Sequence, residues 1–248
     1  MNVLFSRHNG MGDVVMTLPF ALAAARAGHV VAFETEPSNH DWLRLVAGPW
    51  LAPLPLVCNP YDDFRAEVPG YDRFVNLNRL ELLDEWRTAA KRRARSQQEA
   101  IADRVLLAGL PVPPSLSPAG LWEHGLEKGS EVLVFSKSTS PSRAIGPKTL
   151  EKILEKFPGA TVDPHYGSKV ELLEAVARAK GVLAADSGPV HLAELCGTKW
   201  TCFHTTFDEE ARHARYAHGI CVQSRVPCSP CFLHGGCAAH PCTDDFGA

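Results

Sequence analysis

Along the chain, short apolar runs alternate with longer segments in which apolar residues recur every three or four positions. Val3-Leu4-Phe5 reads as a strand, Asn9-Gly10-Met11-Gly12-Asp13 as a glycine-bearing turn, and Val14 to Ala27 as an apolar helix. Pro19 inside that helix is expected to kink it or to open a second segment, because its ring removes an amide donor. Gly28 ends the helix, and His29-Val30-Val31-Ala32-Phe33 reads as the next strand. A strand–turn–helix–strand unit implies a parallel sheet. Residues 48–70, rich in Pro and Gly, look irregular, and residues 80–108 read as one long helix with a basic centre.

Leu110 to Pro118 holds four prolines in nine residues, a stiff connector. Beyond it the alternation restarts. Val132 to Phe135 is a strand, and Thr149 to Phe157 a helix with Leu150, Ile153, Leu154 and Phe157 on one face. Ala160 to Val162 reads as a short strand, Val170 to Lys180 as a helix and Gly181 to Ala185 as a buried strand. Asp186-Ser187-Gly188-Pro189 turns into a helix ending at Gly197, and Trp200 to Phe203 is the next strand. The expected architecture is α/β, two parallel-sheet domains with a cleft between them, spanning residues 1–118 and 119–220, with a Cys-rich tail from 221 to 248.

Composition narrows the function classes. Apolar residues make up 45% and charged residues 21%, enough for a buried core, and the net charge of −3 argues against bulk nucleic-acid binding. The longest mainly apolar run, Val14 to Ala25, is shorter than the about 20 residues of a membrane span, and the opening residues do not resemble a secretory signal. A cytoplasmic location is expected. Of eight cysteines, four (Cys228, Cys231, Cys237 and Cys242) fall in the final stretch. In a reducing compartment such a cluster points to a metal before disulfides: four thiols can hold zinc or iron in a closed, structural site.

Two turns carry the candidate chemistry. Gly10-Met11-Gly12-Asp13 sits where strand one enters helix one, where unpaired amides suit an anion and glycine lets a ligand approach the backbone. The same residues equally suit a tight turn with Asp13 as a cap. A dinucleotide fingerprint would need a third glycine where Val15 stands, which weighs against a nicotinamide enzyme using Glu34 as ribose acceptor. Asp186-Ser187-Gly188-Pro189-Val190-His191 repeats the arrangement. It reads either as a diphosphate cradle with His191 one turn inward or as a well-capped helix with a partly buried His.

Taken together, Gly12-Asp13-Val14-Val15, Thr17-Leu18-Pro19, Asp186-Ser187-Gly188-Pro189, His191-Leu192-Ala193 and Gly197-Thr198 resemble the heptosyltransferases, glycosyltransferase family 9. The resemblance implies a GT-B-like fold of two Rossmann-like domains, the N-terminal one for acceptor and the C-terminal one for donor. It implies inverting transfer of a heptose or similar sugar from a nucleotide-diphosphate donor to a hydroxyl of a glycolipid, glycan or protein. Asp13 matches the general base, with its pKa expected to rise on burial. Gly12, Asp186, Ser187, Gly188 and His191 fall at donor positions, and Lys137 or Arg143 would neutralise the leaving diphosphate, unless they line a solvated loop. Transfer itself would need no metal. Similar cysteine tails in heptosyltransferases of bacterial adhesins hold iron. A homo-oligomer is possible. The run Arg87, Lys91, Arg92, Arg93 and Arg95 reads as a solvated helix face or an acceptor platform. The alternative to an enzyme is a non-catalytic nucleotide or nucleotide-sugar module with a metal-stabilised assembly tail.

Overall fold

The structure is a computed structural model describing residues 1–8, 10–54, 68–78, 96–232 and 241–246. The basic run Arg87–Arg95, Asn9 and Cys237 lie outside the described residues.

The first half is built from β1 (Asn2–Ser6), α1 (Met11–Arg26), β2 (Val30–Glu34), α2 (His40–Ala47), β3 (Leu51–Leu54), β4 (Arg73–Asn76) and α3 (Gln97–Leu107). Its strands are all parallel, in the order β3-β2-β1-β4. The second half comprises β5 (Val132–Phe135), α4 (Pro147–Lys156), β6 (Thr161–Val162), α5 (Lys169–Arg178), β7 (Gly181–Ala185), α6 (Gly188–Leu195), β8 (Trp200–His204), α7 (Glu209–Arg212) and β9 (Gly219–Gln223). These strands are also parallel, in the order β6-β5-β7-β8-β9. Both are doubly wound orders. Each reverses direction once, between β1 and β4 and between β5 and β7, and ligands of such sheets bind outside the strand C-termini at that reversal.

Several elements differ from expectation. α1 runs unbroken through Pro19 and begins at Met11, so Asp13 lies in its first turn and Gly10 is the N-cap. The long helix expected over 80–108 has a start at Ser96, whose extended backbone and capping box with Glu99 open α3. The stretch 48–70 read as irregular contains β3, and α2 and β4 flank it; both strands are short and show little alternation. β9 crosses the tail boundary expected at residue 220. Residues 241–246 pack on the second half. Asp244 Oδ1 accepts from the Lys148 amide at 2.8 Å at the start of α4, and Phe246 meets Phe203 edge-on.

The halves are joined closely. The largest cluster of buried apolar side chains runs through both halves, and α1 packs on α6. The proline connector is fastened by buried Glu194, which accepts from Ser117 Oγ at 2.6 Å and from Trp200 Nε1 at 2.9 Å. Among the described residues, no helix is long and apolar enough to cross a membrane.

Candidate functional site

The two reversal points face each other across the junction. Val3, Leu4 and Phe5 are buried in β1, so the chain leaves the sheet at a fixed height and delivers Arg7 beneath the turn into α1. Arg7 is buried, donates to the Leu77 carbonyl after β4, and donates to Asp13 Oδ1 at 2.8 Å. Gln97 Nε2, from the first turn of α3, reaches the same oxygen at 3.3 Å. Among the described residues, Oδ2 of Asp13 accepts no hydrogen bond, and the side chain is 24% exposed.

The donor-side turn is built differently. Asp186 follows β7 and is 1% exposed. Arg143, on the short 3-10 turn Pro141–Arg143, places Nη1 3.2 Å from the Asp186 carbonyl and 3.8 Å from Oδ2. Arg212, at the end of α7, places Nε 3.5 Å from Oδ1. The same Arg212 donates through Nη1 to Gln97 Oε1 at 2.9 Å, and its carbonyl accepts from Gln98 Nε2 at 2.9 Å. Asp13, Gln97, Arg212, Asp186 and Arg143 thus form one polar chain running from the first half to the second.

Burial and charge compete in this chain. Burial raises the Asp13 carboxyl, but Arg7, Arg212 and His191 outweigh it and hold it below the ordinary carboxylate value. The expected rise therefore does not occur: the neighbours are cationic. Asp186 is also held well below the usual range, burial being overcome by Arg212, the nearby histidines and Arg143. Burial and Arg212 lower His191 to about 4, so its ring is neutral near pH 7. His191 Nδ1 shares a hydrogen bond with the Tyr216 hydroxyl.

The glycines divide the work. A Cβ on Gly12 would lie 2.4 Å from His191 Cδ2. Gly12 therefore lets α1 seat on α6. Gly188 also faces Gly12, with the nearest atom 3.9 Å from an added Cβ. Ser187 is the backbone N-cap of α6, yet its hydroxyl donates to the Ala185 carbonyl at 3.0 Å instead of capping. Ser187, Gly188 and Pro189 are half-buried, so this helix start reaches the surface beside Arg143 and Asp13.

Lys137 stands apart: it is 84% exposed and its Nζ lies 3.8 Å from Asp163. Glu34 is buried against His8, which disfavours it as a ribose acceptor. In the tail, Cys228 is exposed, Cys231 half-buried and Cys242 buried with its thiol near the Ser142 carbonyl. Those three do not converge as a close ligand group among the described residues. Arg7, Gln97, Arg212 and Tyr216 were not marked by any motif. Only the position of Arg7 directly after a strand hinted at a site.

No family model matches the sequence, and no curated protein does. Solved structures do. Escherichia coli heptosyltransferase WaaC with ADP matches with a TM-score of 0.57 at 14% identity, over 90% of this chain and 91% of that one. The iron-containing dodecameric glycosyltransferase TibC from enterotoxigenic E. coli H10407 matches at 0.64 and 13%, over 98% and 74%. The chain has a GT-B-like fold. A glycosyltransferase family 9 protein of Veillonella parvula gives 0.56 at 11% identity, over 90% and 86%.

Proposed function

We propose that this chain is a glycosyltransferase that moves a sugar from a nucleoside-diphosphate donor to an acceptor hydroxyl. The observation that carries the reading is the polar chain joining Asp13 on one reversal point to Asp186, Arg143 and Arg212 on the other. Arg7, Arg143 and Arg212 carry three positive charges against two carboxylates, a surplus that suits a diphosphate. The half-buried start of α6 lies beside Arg143, and the positive end of a helix favours such an anion. ADP is the nucleotide in the WaaC structure.

Asp13 would act as base through Oδ2, while Arg7 and Gln97 fix its other oxygen. Its carboxylate is ionised at neutral pH and takes the acceptor proton as the new bond to the anomeric carbon forms, on the face opposite the departing diphosphate. Such base catalysis is worth about 10²–10⁴-fold. Asp13→Asn should therefore lose turnover by about that factor and keep nucleotide binding. A screen of ADP, UDP, GDP and their sugars by thermal shift, followed by nucleotide-release kinetics, tests both parts. Binding without any turnover in wild type, with each acceptor class supplied, would replace the enzyme by a nucleotide-binding module, a reading favoured by the tight Gly12–His191 contact that closes the junction.

The sugar is a heptose in this reading, and the acceptor a glycolipid, glycan or protein. Cys228, Cys231, Cys237 and Cys242 would hold a structural iron or zinc, supported by the iron of TibC. Elemental analysis of anaerobically purified protein, wild type against Cys228→Ser, tests this: equal content in both would reject it.

A further inference from the structure

We propose a second metal site, within the fold and distinct from the cysteine tail: a closed, structural centre for a zinc-type divalent ion formed by Asp186, Cys202, His204 and His213. One ligand atom from each lies within 4.8 Å of the others, and all four residues are buried. The sequence distributes them over three segments. Cys202 and His204 are two apart on β8 and so share a face. β7 pairs with β8 in a register that ends at Ala185↔Phe203, which sets Asp186 beside His204. His213 follows α7 and returns to place Nδ1 2.9 Å from His204 Nε2.

The cluster is unusual without an ion. Neither carboxylate oxygen of Asp186 accepts a hydrogen bond, although the residue is 1% exposed, and His213 Nε2 also has no hydrogen-bond partner. Buried polar groups left this way cost free energy. The donor set is one thiol, two imidazoles and one carboxylate, the mixture that borderline-soft divalent ions prefer in four-coordinate sites. Tetrahedral bonds of about 2.0–2.3 Å need the present separations to shrink by about an ångström. The two guanidinium groups at 3.5 and 3.8 Å repel a cation, a cost the four ligands must offset, but they leave Asp186 ligand capacity, because a carboxylate has about four lone-pair positions and can bridge an ion and arginines. On binding, the Cys202 thiol releases its proton to solvent and the thiolate takes the metal. The ion would pin the segment after β8 that carries Arg212, and so hold that guanidinium between Asp186 and Gln97.

The test uses full-length, chelator-stripped, reduced protein titrated with Co²⁺ and then displaced with Zn²⁺. Wild type should develop tetrahedral d–d bands with a thiolate-to-cobalt charge-transfer band. Cys202→Ser and His213→Ala should each lose about one equivalent per chain, whereas Cys228→Ser combined with Cys231→Ser should keep that equivalent and its one-sulfur spectrum. Asp186→Asn, which preserves shape, should weaken binding by about tenfold or more and serves if the other two variants misfold. Cobalt content and spectrum unchanged in both Cys202→Ser and Asp186→Asn, or no cobalt bound by wild type, would overturn the proposal. Neither outcome depends on glycosyltransferase activity.

Discussion

At the reversal point of the first sheet the chain enters α1 through Gly10, Met11, Gly12 and Asp13. At that of the second it enters α6 through Asp186, Ser187 and Gly188. Topology gives both turns the same place, and the residues use it differently. In the first, glycine serves close packing and the carboxylate stays partly open to solvent. In the second, the glycine has room, the hydroxyl folds back on the strand, and the carboxylate is buried between two arginines. A shared strand–turn–helix frame therefore does not assign a role to its glycine or its acid. What packs against the turn does.

The largest effect that sharpens this contrast is on the buried acid. Asp186→Ala leaves Arg143 and Arg212 without their anion, and loss of one partner of a buried pair costs about 3–5 kcal/mol. Asp13→Ala leaves buried Arg7 without its carboxylate, but Asp13 is a quarter exposed and Arg7 keeps the Leu77 carbonyl, so the cost should be smaller, about 1–3 kcal/mol. Urea unfolding of both variants decides it, and equal losses would break the comparison.

The next effect is on pH dependence. His191 is lowered from 6.5 to about 4 in the folded chain. Between those values the unfolded chain binds a proton that the folded chain does not, so stability falls as pH drops through this window, by up to roughly 3 kcal/mol. His204 and His213 are shifted the same way and add to the slope. The lowered Asp13 and Asp186 act at more acid pH: their contribution is present above the ordinary 3.8 and is lost as pH falls through their folded values. Unfolding curves from pH 7 to 4 should show a shallower slope in His191→Gln.

Gly12→Ala comes third. Its new methyl would press on the His191 ring, for an overpacking cost of about 1–3 kcal/mol. Gly188→Ala, with ordinary contact distances, should stay within about 0.5 kcal/mol. A larger loss at Gly188 than at Gly12, read by thermal or urea unfolding, would reverse the assignment of roles.

Much of the fold was legible in the sequence. The strand Gly181–Ala185 falls where its apolar run predicts, and β1, β5, β8 and the helices α4 and α5 agree within a few residues. The strands β3 and β4 were hidden, because four-residue strands with Pro or Arg in them carry no clear period, whereas α2 went unread although Trp42, Leu43, Val46 and Ala47 recur at helical spacing. Of the candidate site, Asp13, Asp186, Ser187, Gly188, His191 and Arg143 meet at the junction, while Lys137 does not. Arg212 had no local signal: it lies in the polar stretch Glu209-Glu210-Ala211-Arg212-His213, and only contact with α3 and Asp186 sets it apart.

The sequence by itself determined the alternation of strand and helix and the two turns, because periodicity and the placing of Gly and Pro are local properties of the chain. Tertiary structure alone decided that Gly12 must make way for His191, that arginines pull the Asp13 carboxyl down when burial would push it up, and that Asp186, Cys202, His204 and His213 share one buried point. Each of those outcomes depends on which distant side chain stands within a few ångströms, and that distance is set by strand register and helix packing between segments that do not adjoin in the chain.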